Sequence, residues 1–217
     1  MGLRMAVACN NPVGTQYLEL MQRTLSDMSD AQAWFALQTM PRNEKKIDFL
    51  LRQKGYECLT PLYRQKRKWS DRTVEVDLPL FPMYVFCYLS PSILGKVIAT
   101  QGVTRIVGFG GKPTEIAAEE IEALRLLTSS NFLREPWRYL PDGTPVVVET
   151  GPLAGVQGII CPSENERRLI ISVTLLQRSV AVQLDEDTVI SVAAGHKESR
   201  ARLSVESDMA VRLLRGA

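Results

Sequence analysis

Between residues 143 and 160 the chain reads GTPVVVETGPLAGVQGII, with four glycines and two prolines set among Val146, Val147, Val148, Val156, Ile159 and Ile160. β-Branched residues favour extended backbone, but the breakers forbid one long strand, so the chain must fold as two short strands joined by a tight turn. Gly151 and Gly155 flank Pro152-Leu153-Ala154 and supply the positive φ that other residues resist, while Pro152 presets a turn φ. Gly158, inside the returning strand, predicts a bulge or a close backbone approach. Three more short apolar runs follow at 168–176, 179–184 and 188–192. Closely spaced short strands of this kind predict a small SH3-like β-barrel over 141–193. Ile170, Ile171, Val173, Thr174, Val180, Val182, Thr188, Val189, Ile190 and Val192 favour strands over a helical alternative.

The N-terminal half is patterned differently. A strand is expected at 34–40, stopped by Pro41, and then a helix over 43–55 with Asn43 as N-cap and Gly55 as its end. Ile47, Leu50 and Leu51 make its apolar stripe. Strands over 56–69 and 72–81 form a hairpin around Ser70-Asp71, and 83–89, apolar on both faces, should be central in a sheet. A short helix over 92–100, a strand over 103–109 and a helix over 117–130 complete an α+β domain of split βαβ, ferredoxin-like type. Residues 129–140, with two prolines and no period, read as a linker. The expected division is therefore a leader 1–30, a domain 31–128, a linker 129–140, a barrel 141–193 and a polar tail 194–217. Short helices near 18–25 and 205–217 complete the reading.

Charge separates the halves: Lys+Arg minus Asp+Glu is 14 − 10 = +4 over 34–130 and 3 − 7 = −4 over 141–194. Two modules with different partners are implied. The single histidine, His196, lies in the tail, so no Ser or Cys has a base at hand and no enzyme, metal or cofactor is expected. Gly108-Phe109-Gly110-Gly111-Lys112 lacks the spacing of a phosphate-binding loop. The four scattered cysteines read as reduced thiols, and no stretch approaches a membrane span, so a cytoplasmic monomer is expected.

The spacing Gly143, Val146, Val148, Gly151-Pro152, Gly155, Gly158-Ile159 resembles the KOW motif of NusG-type factors and some ribosomal proteins. Trp34-Phe35, Phe81-Pro82-Met83-Tyr84-Val85-Phe86 and 102-GVTRIVGFGGKPTEI-116 resemble the NusG N-terminal (NGN) domain. Phe35 and Met83 stand where Trp-Tyr and Phe-Pro-Gly-Tyr are commoner. The wording LLQRSVAV and the long leader look more like specialised RfaH-like or UpxY-like antiterminators. The resemblance implies a transcription elongation and antitermination regulator. Its N-terminal domain would grip the clamp of RNA polymerase through Phe35, Phe81, Pro82 and Tyr84. Its KOW domain would recruit a termination factor or ribosomal protein through Gly151, Pro152, Leu153, Gly155, Val156, Gly158, Ile159 and Ile160, although several of these equally suit a barrel core.

The basic run supplies a second candidate surface. Alternation puts Arg64, Lys66 and Lys68 on one face of a strand and Arg67 and Trp69 on the other, with Arg72 across the turn. Three cations could follow a phosphate backbone and Trp69 could stack on an unpaired base, and the resemblance points to non-template DNA. Three phosphate contacts would give a salt slope of only about −2, so an apolar contact must share the work. The rival reading is a KOW-type RNA-binding or ribosome-associated protein, which the −4 charge of the barrel opposes.

Overall fold

The computed structural model describes residues 31–69, 71–140, 143–162, 167–184 and 188–192. The expected leader and tail helices, His196 and the acidic run 185–187 lie outside them.

The order of elements in the N-terminal half follows its hydrophobic periods. Strand β1 (Ala33–Thr39) leads into helix α1 (Glu44–Gln53) and then β2 (Glu57–Leu59). Hairpin strands β3 (Leu62–Lys68) and β4 (Thr73–Pro79) precede β5 (Tyr84–Leu89). A 3-10 turn runs into the short helix α2 (Leu94–Ile98), followed by β6 (Val103–Ile106). Two-residue strands β7 (Gly108–Phe109), β8 (Lys112–Pro113) and β9 (Glu115–Ile116) lead to helix α3 (Ala118–Ser129).

The main sheet runs β2-β5-β1-β6, with β9 also against β1. All its pairings are antiparallel, and β5, apolar on both faces, is indeed central. The hairpin is not part of this sheet; β3 and β4 pair only with each other. Asn43 occupies the position before α1 but its side chain makes no cap bond. It donates instead to Pro41 O at 3.4 Å. Gly55 ends the helix at φ +84°, as a C-terminal glycine should.

The C-terminal half is one antiparallel sheet. Its strands are β10 (Arg134–Arg138), β11 (Thr144–Val148), β12 (Gln157–Pro162), β13 (Arg167–Val173), β14 (Arg178–Gln183) and β15 (Ile190–Val192). Their order is β10-β14-β13-β12-β11-β15. The segment expected to be a linker is therefore, over Arg134–Arg138, a strand in register with β14 from Arg134↔Val182 to Arg138↔Arg178. Pro136 fits there because the strand is at the sheet edge, where one missing amide is tolerated.

Two apolar cores hold the chain together. One lies under α1 and α2: Phe35, Leu37, Ile47, Leu51, Val85, Leu94 and Val97 are sealed in it with Cys58 and Cys87. The other starts on the opposite face of the main sheet, at Trp34, Ala36, Phe81 and Phe86, and passes Ile121, Leu124 and Leu127 of α3. It continues without a break into Val146, Leu169, Ile171, Val173, Val180 and Val182 of the C-terminal sheet. The two halves thus share one core.

Candidate functional site

The Phe81-Pro82-Met83-Tyr84 stretch is a tight turn between hairpin and central strand. The Tyr84 amide donates to Phe81 O at 3.1 Å, and Met83 O accepts from the Thr39 amide at 2.8 Å. Met83 takes φ +71° although it is not glycine, a region that costs a side-chain-bearing residue about 1–2 kcal/mol. Its amide donates at 2.7 Å to Glu44 Oε1, from a side chain only 4% exposed in the first turn of α1. A buried acceptor for that one amide offsets the unfavourable φ. The sequence marked Glu44 only as an acidic helix start; its true partner lies 39 positions away.

Burial divides the rings. Adjacent residues of a strand face opposite sides, so Phe35 points into the helix-covered core at 0% exposure while Trp34 faces α3. Phe35 therefore cannot belong to an outer docking surface, which corrects the expectation. Phe81 is also internal at 1%, edge-on to Phe86 with ring centroids 5.3 Å apart. Pro82 is exposed and Tyr84 half-buried. Tyr84 meets the other half: the Arg178 guanidinium sits 5.3 Å from its ring centroid.

Further contacts secure that meeting. The Thr174 amide donates to Glu120 Oε1 at 3.2 Å. Arg134, at the start of β10, donates to Leu62 O at 2.9 Å, Leu127 O at 3.0 Å and Ser130 O at 2.9 Å. One guanidinium therefore caps the C-terminal carbonyls of α3 and holds the root of the hairpin, a role its five fixed donors suit. Burial lowers its pKa from the ordinary arginine value. No periodicity singles out Arg134 or Arg178; both are visible only in three dimensions.

A cleft of about 710 Å3 opens beside the turn, between the start of α1 and the hairpin. Its lining combines apolar Pro41, Tyr63, Leu78, Pro79, Pro82 and Met83 with charged Arg42, Lys45, Arg67, Glu44 and Asp77. Beyond it the exposed hairpin carries Arg64, Lys66, Arg67, Lys68 and Trp69, with the Arg72 guanidinium 5.8 Å from the Trp69 ring centroid. The cationic face is less bare than alternation suggested. Arg64 lies opposite Asp77 and Lys66 opposite Glu75. Arg64 reaches Glu75 at 3.6 Å and Asp77 at 3.5 Å, and Lys66 reaches Glu75 at 3.9 Å. Three cations against two carboxylates leave that face a net +1.

The glycine-rich loop closes as expected, with the Gly155 amide donating to Val148 O at 2.8 Å and Gly155 at φ +87°. Gly158 marks a close approach: a Cβ there would stand 2.7 Å from Ile170 O. Leu153 and Val156 are buried at 1% and 2%, Ile159 and Ile160 half-buried, and Gly151, Pro152 and Gly155 exposed. Leu153 and Val156 thus belong to the core and are not a free contact surface. Pro152 instead lines a 450 Å3 cleft with Phe132, Leu133 and Gln183, and Leu133 is 74% exposed.

Among the described residues no group of three or more His, Cys, Asp or Glu could hold a metal ion. No helix there is long and apolar enough to cross a membrane. Residues 32–125 match the family model described as transcription termination factor nusG. The chain is 26% identical over 176 residues to the transcription termination/antitermination protein NusG of Borreliella burgdorferi, covering 71% of this chain and 96% of that one. Among solved structures, one on domain interaction in Thermotoga maritima NusG is 20% identical, with a TM-score of 0.45 over 70% of this chain and 93% of that one. The MjSpt4:Spt5 complex in conformation A is 19% identical, with a TM-score of 0.27 over 73% and 98%.

Proposed function

We propose, on the premise that this chain belongs to the NusG family of transcription termination and antitermination factors, that it binds RNA polymerase through the turn and cleft at Pro82–Tyr84. The observation that carries the reading is an open, mainly apolar hollow beside a basic hairpin, lined by Tyr63, Pro82 and Met83 among others. Apolar hollows with aromatic and proline walls suit a protein partner, and the hairpin beside it suits non-template DNA, with Trp69 able to stack on a base. We read the C-terminal sheet as the KOW barrel and Pro152 with Leu133 as its contact for a second protein. We also read the chain as a specialised paralogue of the RfaH-like or UpxY-like kind.

The shared core gives this proposal a physical condition. Tyr84 lies against Arg178 and Phe81 is internal, so a polymerase that needs Tyr84 must bind a state in which the halves have moved apart. A ligand shifts such an equilibrium only by its differential affinity. Weakening the contact should therefore strengthen polymerase binding.

Pull-down of core RNA polymerase by the full chain tests this. Wild type should bind, Pro82→Ala with Tyr84→Ala should lose binding, and Arg178→Ala should gain it. Retention by nucleic acid alone, with no binding to polymerase, would refute the proposal in favour of an RNA-binding or ribosome-associated protein.

A further inference from the structure

We propose that Cys58 and Cys87 are a cross-strand redox site, a dithiol that closes to a disulfide by exchange with a low-molecular-weight disulfide such as oxidised glutathione. They are directly paired residues of the adjacent antiparallel strands β2 and β5. Their sulfurs are 2.7 Å apart, within roughly 0.7 Å of a bonded pair. Directly opposed residues in antiparallel strands have Cα atoms about 4.5–5.5 Å apart, inside the range of about 4.4–6.8 Å that a disulfide requires. The pairing thus places them within the backbone spacing a disulfide uses.

Both side chains are sealed in the core beneath α1, at 4% and 0% exposure. Burial raises the Cys87 thiol well above its ordinary value, and the neighbouring Cys58 adds to the effect. The thiolate is the attacking species, so exchange is slow while the site is shut. Access comes through β2, a three-residue strand at the sheet edge, paired only with β5, the kind of element that opens locally before the whole fold does.

The chemistry balances as two exchanges. One cysteine, as thiolate, attacks a glutathione sulfur and expels a glutathione thiolate, leaving a mixed disulfide. The second thiolate attacks the protein sulfur of that bond and expels the other glutathione. Two protein thiols are oxidised, one small disulfide is reduced, and two protons go to the departing thiolates. The new bond joins positions 29 apart. The ring it closes contains the whole β3–β4 hairpin and the Phe81–Tyr84 turn, so both ends of the candidate binding surface become anchored to one point.

The full reduced chain is incubated in glutathione buffers of rising oxidised fraction, quenched in acid, unfolded, alkylated and digested for mass spectrometry. Of the four cysteines, two should escape alkylation, in a linked peptide pair containing Cys58 and Cys87. Cys58→Ala and Cys87→Ala, checked for folding by circular dichroism, should each lower intramolecular disulfide at least about tenfold, as loss of a tethered partner demands. After trypsin nicks the exposed hairpin, the oxidised fragments should stay joined until reductant is added. Alkylation of all four cysteines at every ratio would overturn the proposal. So would a linked pair that includes Cys9 or Cys161, or fragments that separate without reductant.

Discussion

Replacing Glu44 isolates the cost of holding a methionine in a glycine conformation. In Glu44→Ala the Met83 amide loses its acceptor at 2.7 Å in a place where the acceptor side chain is only 4% exposed. An orphaned buried donor costs about 1–3 kcal/mol, and a hydrogen bond to a charged group is worth about 1.5–3 kcal/mol, so a loss near 2 kcal/mol is expected. For a chain of this size that corresponds to a fall in Tm of about 4–8 °C. Glu44→Gln keeps a neutral oxygen acceptor and should forfeit about half as much, since charge-assisted bonds are roughly twice as strong as neutral ones. Met83→Gly removes the unfavourable φ, worth about 1–2 kcal/mol. It adds about 0.5–1 kcal/mol of backbone entropy, so it should be neutral or slightly stabilising. Urea unfolding followed by tryptophan fluorescence, with an unchanged m-value, gives all three numbers. The explanation fails if Glu44→Ala falls within about 0.5 kcal/mol of wild type, the scatter of ordinary surface changes. It fails equally if Gln proves as damaging as Ala.

Arg134→Ala, with no donor for the three carbonyls, should destabilise by about 2 kcal/mol or more. Arg134→Lys should also destabilise, because its three N–H groups sit on one nitrogen and cannot reproduce the separate Nε and Nη1 positions that reach them; amide exchange should quicken first in the last turn of α3. Gly158→Ala drives a Cβ to 2.7 Å from Ile170 O and should cost about 1–3 kcal/mol by overpacking. Gly95→Ala, with nothing within 4 Å of its Cβ, should stabilise α2 by about 0.5–1 kcal/mol, and melting curves separate the two. Glu75→Gln with Asp77→Asn frees Arg64 and Lys66 from their pairs. Affinity for single-stranded DNA should rise and its salt slope steepen, as read by fluorescence anisotropy at several salt concentrations.

The elements most legible in the sequence were those whose burial follows a single period. Ile47 and Leu51 of α1 and Ile121, Leu124 and Leu127 of α3 are buried as their spacing requires, and the breakers around 151–158 mark the turn they form. The reversal between β3 and β4 was legible in its turn signal, but the single strand expected over 56–69 is two: β2 pairs with β5 in the main sheet, and only β3 belongs to the hairpin. The face of Phe35 was also readable in principle, since its neighbour Trp34 must point the other way. Other features had no local signature. An edge strand such as β10 pairs through its backbone, so its side chains 134-REPWR-138 show no alternation to detect. The Cys58–Cys87 and Glu44–Met83 contacts depend on register between segments far apart in the chain. Apolar residues that join the two halves look, in sequence, like the private core of each.

The placement of β10 also sets a limit on reach. Only residues 130–133 lie between the end of α3 and the start of β10, and four residues span at most about 14 Å when fully drawn out. With β10 zipped to β14, the acidic half is held within that short span. Once β10 unzips, the tether grows to residues 130–143, and fourteen residues can extend about 46–50 Å. Once the shared core has parted, these five backbone pairs set whether the halves stay on a short tether or a long one.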